Sequence, residues 1–375
     1  MAGLTDARLK DIMESTINLT DVRYGPSKTT YFKKPLATET VCMRISQDGR
    51  RTVNGCSDHN VHVRDVETGE HVVMKGHTET VTAVEFSEED YYVVSGSEDG
   101  TARIWKIWGR LGETQTCIKT LQHSNAVRSV AVSRTAWPLP DPLPNQPKWI
   151  PMVAAGGFDG AVRVWDIDGN VLHTIEENDG FGDGDGHTVS CLKFSPCGRI
   201  LATGSRNAVR LWDTVSGKML KKLAVSGQPR VLAFSASGNF LSVGMGPTFG
   251  MLAPTGKDAN TLIEFSVESG NRRMRLEHES AVTSIAYDAN CFYIATGTGS
   301  GEVCVWGSTG TRIHSEQVHD TGALWQGTAH AHWYAGKIVS CCFDGSVSVI
   351  SEKREKRKRV PEQEAQCKRT AVCAK

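Results

Sequence analysis

Three residue types that together can activate a nucleophile recur in fixed order along this chain, first as His77, Ser95 and Asp99. A histidine oriented by a carboxylate can take the proton of a hydroxyl, which is the logic of hydrolytic triads. The order returns in part as His123 with Asp159, His187 with Thr203, and His278 with Thr296. Each set is followed by a tryptophan, at Trp105, Trp165, Trp212 and Trp306. A catalytic set occurs once and needs an exposed nucleophile. A set that recurs with an indole each time reads instead as a buried polar chain, because a buried Trp N–H and a buried His both need partners. No catalytic residue is assigned, and the chain is not expected to be an enzyme.

Two further motifs suggest chemistry and then fail on spacing. The run from Glu176 to Gly186 alternates Asp and Gly, as a Ca²⁺ loop does. It lacks the spacing of a calcium-binding loop with its terminal Glu, so it reads as an acidic loop. Gly297-Thr298-Gly299-Ser300-Gly301 has the look of a phosphate cradle but does not open a helix. The eleven cysteines include no Cys-x-x-Cys pair, and most lie in apolar strand-like runs, where they act as small hydrophobes. No metal, cofactor or small-molecule substrate is expected. Reduced thiols point to the cytosol or nucleus.

The elements that position these residues are short alternating strands. The clearest unit runs from Gly76-His77 through Val81–Ser87 and Val93–Gly100 to Thr101-Ala102-Arg103-Ile104-Trp105. Others carry Val162-Arg163-Val164-Trp165-Asp166, Leu211-Trp212-Asp213 and Val303-Cys304-Val305-Trp306. Trp212 and Trp306 stand 94 residues apart, two units with a degenerate one between. Over roughly residues 37–350 this resembles the WD40-repeat family. The resemblance implies an all-β fold: a single β-propeller of seven four-stranded antiparallel blades. A lone blade cannot bury both faces, and stacking blades in a ring does so. It also implies that His77, Ser95, Asp99 and Trp105 form the family's structural tetrad. The others are His123, Asp159 and Trp165; His187, Thr203 and Trp212; and His278, Thr296 and Trp306. Ala155, Asn207 and Ser300 interrupt these incomplete sets, so the second blade is expected to be the best ordered. The first, fifth and seventh units are degenerate: Arg64 stands where Trp belongs, Phe265 lies near that position, and the last unit ends Val347-Ser348-Val349-Ile350.

The resemblance further implies that a strand from the N-terminus closes the ring, and Thr29–Lys33 is suitably β-prone. Leu9, Ile12, Met13 and Ile17 fall at helical spacing, which predicts a short helix over residues 4–18. The expected division is an N-terminal extension over 1–28, the propeller over 29–351 and a basic tail over 352–375. With no net charge there is no broad field to steer the chain to nucleic acid or membrane. No stretch approaches the roughly 20 apolar residues of a membrane span, and Met1–Leu19 lacks the apolar run of a signal peptide. No membrane partner is expected.

Function in such a fold lives in insertions and loops. Residues 134–151 form a proline-rich insertion with Trp137 and Trp149, and Trp108 sits in a long loop that the family resemblance places on the same, wider face. These tryptophans either anchor a partner or cover their own loops. Phe181, Phe249 and Met251 lie in two Gly-rich insertions assigned to the narrow face, and Phe158 and Arg206 precede turn residues there. Lys353, Arg354, Lys356, Arg357, Lys358 and Arg359 make a run that reads as a nuclear import signal, a nucleic-acid-binding arm or a solvated tail. The expected role is a non-catalytic scaffold within a multi-subunit protein complex. The alternative is an RNA- or ribonucleoprotein-associated factor. Either places the protein in the cytoplasm, the nucleus or both.

Overall fold

The computed structural model describes residues 23–24, 28–31, 38–66, 68–87, 90–107, 116–133, 137–138, 149–176, 188–246, 256–319, 328–334, 337–342 and 346–353. The chain is an all-β propeller. Blade 1 contains the strands Thr40–Ile45, Arg51–Cys56, Val61–Asp65 and His71–Met74. Blade 2 contains Val81–Phe86, Tyr92–Ser97, Thr101–Lys106 and Thr116–Gln122. Blade 3 runs from Val127–Val132 through Met152–Gly157 and Ala161–Asp166 to Val171–Glu176. Blade 4 runs from Cys191–Phe194 through Ile200–Ser205 and Ala208–Asp213 to Met219–Ala224. Blade 5 has Pro229–Phe234, Phe240–Met245, Thr261–Ser266 and Arg272–Glu277. Blade 6 has Val282–Tyr287, Tyr293–Thr298, Glu302–Gly307 and Arg312–Gln317. Within every blade, consecutive strands pair antiparallel.

The expectation of seven four-stranded blades needs correction. Six sheets have four strands, a two-stranded ladder lies within the insertion of blade 3, and the sheet that holds the C-terminal strands has five. Its strands Thr328–Tyr334, Lys337–Cys342 and Ser346–Lys353 follow in order. Two short strands, Lys28–Tyr31 and Arg23–Tyr24, then share the far edge of Ser346–Lys353. The physical reason is length: the eight-residue strand Ser346–Lys353 offers more edge than one four-residue strand covers, so a second short strand pairs with its end. Residues 4–18 lie outside the described residues.

The first strand of each blade packs against the first strand of the next, and Thr328–Tyr334 packs against both blade 6 and blade 1. Sequence pattern explains the radial order. Second strands such as Tyr92–Ser97 and Ile200–Ser205 are buried at nearly every position, because neighbouring blades cover both faces. Outer strands such as Met219–Ala224 and Arg272–Glu277 alternate and keep mostly charged or exposed residues. The core lies between blades: Ile104 and Leu121 of blade 2 pack with Val127, Val153 and Trp165 of blade 3. Close approach there also explains a repeated glycine. A Cβ at Gly96 would stand 2.4 Å from Val127 Cγ1, and one at Gly244 would meet Val231 and Val282.

Candidate functional site

The second blade links all four of its repeat residues. His77 Nδ1–H donates to Asp99 Oδ2 at 2.8 Å, and His77 Nε2 lies 2.7 Å from Ser95 Oγ. Trp105 Nε1–H donates to the same Ser95 oxygen at 2.8 Å. With a neutral ring, Ser95 donates to His77 Nε2 and accepts from the indole, so each group in the chain is satisfied. Burial pushes the His77 imidazole down, against the pull of Asp99. Burial also works to raise the Asp99 carboxyl, but hydrogen bonds from Thr101 and His77 outweigh it and hold the group below its usual range. Ser95 is 0 % exposed. A nucleophile must reach a substrate, and this hydroxyl cannot.

The other sets are partial. In blade 6, His278 Nε2 lies 2.9 Å from Thr296 Oγ1, and Trp306 Nε1–H donates to that oxygen at 3.1 Å. Ser300, where blade 2 has Asp99, accepts from Ser280 at 3.0 Å. Without an aspartate, burial carries the His278 imidazole down to about 4. In blade 4, Trp212 Nε1–H donates to Thr203 Oγ1 at 2.9 Å. Asn207 takes a left-handed backbone conformation and accepts from Gly227 N–H, while His187 lies outside the described residues. In blade 3, Ala155 offers no hydroxyl, and His123 Nε2 has no hydrogen-bond partner among the described residues. Asp159 accepts from Ser124 Oγ at 2.6 Å. The rings of His123 and Trp165 sit 6.4 Å apart.

Two polar sets were not anticipated. His319 Nε2 lies 3.1 Å from Ser340 Oγ in the last sheet, both buried. The histidine was visible in the sequence, but with Ile350 at the end of that unit nothing marked Ser340 as its partner. In blade 5, Tyr287 of the neighbouring blade donates to Glu264 Oε1 at 2.8 Å, and Arg273 donates to Glu264 Oε2 at 2.6 Å. The signal available was an acid inside an apolar strand, Leu262-Ile263-Glu264-Phe265, followed by Arg272-Arg273. Phe265 takes the Trp position of that blade and is buried, as is Arg64 in blade 1.

A third set crosses the ring. Arg44, Glu85 and Lys193 stand on the first strands of blades 1, 2 and 4. Lys193 Nζ is 2.9 Å from Glu85 Oε1, and Arg44 Nε is 3.4 Å from Oε2. Burial opposes ionisation of Glu85, but Lys193 and Arg44 outweigh it and hold the carboxyl below its usual range.

The candidate partner-binding residues are placed unevenly. Phe158 is 40 % exposed in the turn between two strands of blade 3, and the Arg128 guanidinium lies 5.8 Å from its ring centroid. Arg206 is exposed in the corresponding turn of blade 4. Trp137 and Trp149 lie on a two-stranded ladder inside the insertion, where Trp137 pairs with Ile150 and Pro138 with Trp149. Lys353 ends the last strand and pairs with Arg23. Trp108, Phe181, Phe249 and Met251 fall outside the described residues, as do Arg354, Lys356, Arg357, Lys358 and Arg359. No helix among the described residues is long and apolar enough to cross a membrane.

Comparison with known proteins agrees with this geometry. The family described as WD domain, G-beta repeat matches residues 70–106, 115–166, 181–213 and 270–307. Protein groucho of Drosophila melanogaster is 26 % identical over 270 residues, covering 63 % of this chain and 33 % of that protein. The U3 snoRNP-associated protein-like EMB2271 of Arabidopsis thaliana is 26 % identical over 249 residues, 56 % of this chain and 51 % of its own length. The THO complex subunit 6 homolog of Danio rerio is 33 % identical over 91 residues, 24 % of this chain and 28 % of that one. The chain thus spans about half or less of each of these relatives. With the repeat, the hydrogen-bonded His-Ser-Asp-Trp set and the ring of four-stranded sheets in agreement, the chain belongs to the WD40-repeat β-propeller family.

Proposed function

We propose that this protein is a non-catalytic interaction platform, a subunit of a multiprotein complex that acts in the cytoplasm, the nucleus or both. One observation carries the reading: the residues able to do acid–base or nucleophilic chemistry are spent on internal structure, with Ser95 sealed beneath His77 and Trp105. The exposed turn residues include two of interface type, Phe158 and Arg206. Proteins of this family generally serve as interaction scaffolds, and two of the relatives are named for the assemblies they join.

We place the propeller over residues 29–351 and infer seven blades, the last completed by Lys28–Tyr31. Support comes from its backbone pairing with Ser346–Val349 and from the seat of Thr328–Tyr334 between blades 6 and 1. The functional test is affinity purification of the tagged full chain with mass spectrometry. Phe158→Ala with Arg206→Ala, and separately Trp137→Ala with Trp149→Ala, are each expected to lose a subset of partners while the far-ultraviolet spectrum is unchanged. Identical partner lists for all three proteins would overturn this use of the loops.

A second reading, an RNA-associated factor, draws on a basic band along two adjoining outer strands. Lys221 reaches the Glu268 carbonyl of blade 5, and Arg272 donates to the Ala224 carbonyl of blade 4 at 2.9 Å. Lys218, Lys222 and Arg275 extend the band. RNA binding that weakens steeply with salt and is lost on Lys221→Glu with Lys222→Glu supports this reading. Loss only on removal of residues 352–375 assigns the contact to the tail instead.

A further inference from the structure

Blade 1 departs from blades 2 and 4 at three positions together, Asn54, Cys56 and His62. Cross-strand register places His62 opposite Asn54, as Arg103 lies opposite Ser95 in blade 2 and Arg210 opposite Thr203 in blade 4. Two residues past Asn54 comes Cys56, where blades 2 and 4 have Ser97 and Ser205. In blade 4 this pair of positions makes a local hydrogen bond, Arg210 Nη1–H to Ser205 Oγ at 2.6 Å. Blade 1 replaces both members with metal-ligand types and keeps the turn aspartate, Asp58.

We propose that Cys56, Asp58 and His62 form a binding site for a Zn²⁺-type transition ion. One donor atom from each lies within 4.8 Å of the others. Tetrahedral Zn²⁺, with bonds of about 2.3 Å to sulfur and about 2.0 Å to nitrogen or oxygen, sets donors roughly 3.3–3.6 Å apart, so small side-chain shifts close the set. His62 Nε2 already sits 3.0 Å from Asp58 Oδ2. The other nitrogen, Nδ1, lies 2.8 Å from His71 Nε2, and the two rings stack nearly parallel with centroids 5.1 Å apart. Metal-bound histidines characteristically donate their second N–H to a fixed acceptor, and His71 is placed to be that acceptor. Without an ion, the same contact runs the other way: His71 donates to Nδ1, and Nε2–H donates to Asp58. The site therefore needs only a tautomer change to present a lone pair.

A sulfur, an imidazole and one carboxylate select zinc or cobalt over Mg²⁺ or Ca²⁺, which take oxygen donors. Cys56 is 0 % exposed, whereas Asp58 opens to solvent. An ion would thus enter from the aspartate side and keep its fourth position there for water.

The test is Co²⁺ titration of the reduced full-length protein, followed by competition with Zn²⁺. A one-to-one thiolate charge-transfer band in the near ultraviolet, bleached by Zn²⁺, is the expected result. Cys56→Ser should remove the band, while His62→Gln and Asp58→Asn should each weaken affinity at least about tenfold. His71→Ala should weaken it by about 10- to 100-fold as a positioning residue. Cys291→Ser, remote in sequence, should leave binding unchanged. No band in the wild type, or a band that survives Cys56→Ser, overturns the site. Should Cys56→Ser fail to fold, unchanged Co²⁺ affinity in both His62→Gln and Asp58→Asn overturns it equally.

Discussion

Lys193 Nζ lies 2.9 Å from Glu85 Oε1 although 108 residues separate them, so blade 4 reaches across the ring to blade 2. Arg44 of blade 1 holds the other carboxylate oxygen. A contact that joins non-adjacent blades resists opening of the ring in a way that contacts between neighbours do not. Its cations are each about a third exposed, so solvent screens part of the attraction. Glu85→Gln is expected to cost about 1 kcal/mol at neutral pH, read as a lower urea midpoint. The carboxyl is held low in the folded state, so its contribution is present above the ordinary glutamate range. It is lost as pH falls through the depressed folded value, and the Gln variant and wild type should converge there. Equal midpoints at neutral pH would show that the bridge does not hold the ring.

A second acid-sensitive group acts in a different window. The His278 imidazole is carried down to about 4 by burial, below its ordinary value of 6.5. The unfolded chain therefore binds this proton first, and stability falls as pH drops from about 6.5 towards 4. His278→Gln should flatten the stability profile across that interval while costing some stability at neutral pH, because Thr296 keeps the Trp306 indole but loses its contact with the His278 ring. An unchanged slope between pH 6.5 and 4 would assign the acid sensitivity elsewhere.

The third prediction adds a group. His123 Nε2 has no partner among the described residues, and Ala155, fully buried, occupies the position held by Ser95 in blade 2. Ala155→Ser adds one oxygen where a histidine and Trp165 can share it. A gain of about 1 kcal/mol is expected, with a midpoint shift in the same direction. The matching deletion, Ser95→Ala, leaves His77 Nε2 and the Trp105 N–H without their shared partner and should cost about 2–4 kcal/mol. If Ala155→Ser destabilises, its hydroxyl is itself unsatisfied and the third blade does not mimic the second.

These sets also show what the sequence could reveal. His77, Ser95, Asp99 and Trp105 were readable because all four recur in register, and a repeated set must have a repeated cause. Their bonds follow from each group's need for a partner once buried. The ring-crossing ion set was not readable, since nothing in the local pattern around Arg44, Glu85 or Lys193 distinguishes a channel-facing charge from a surface one. Glu264 stood out as an acid inside an apolar strand, but its partner Tyr287 comes from the next blade, and only assembly brings them together. The strand Ser346–Lys353 has no tryptophan yet keeps its backbone pairing with Lys337–Cys342, so a reading that follows the tryptophan undercounts the order there.

The final prediction separates crowding from backbone strain. Gly96 lies against the next blade, where an added Cβ would stand 2.4 Å from Val127 Cγ1 and 2.9 Å from Val130 Cγ1. Both valines belong to the first strand of blade 3, so Gly96→Ala must move that strand or rotate two buried side chains. A loss of about 1–3 kcal/mol is expected, typical of overpacking. Gly69 has open space around it but a φ of +72°, which costs a side chain conformational strain without any clash. Gly69→Ala should therefore cost about 1 kcal/mol, and Gly69→Asn, which tolerates that backbone region, less. If Gly96→Ala proves no worse than Gly69→Asn, the blades are not as tightly nested at this seam as the Gly96–Val127 approach requires.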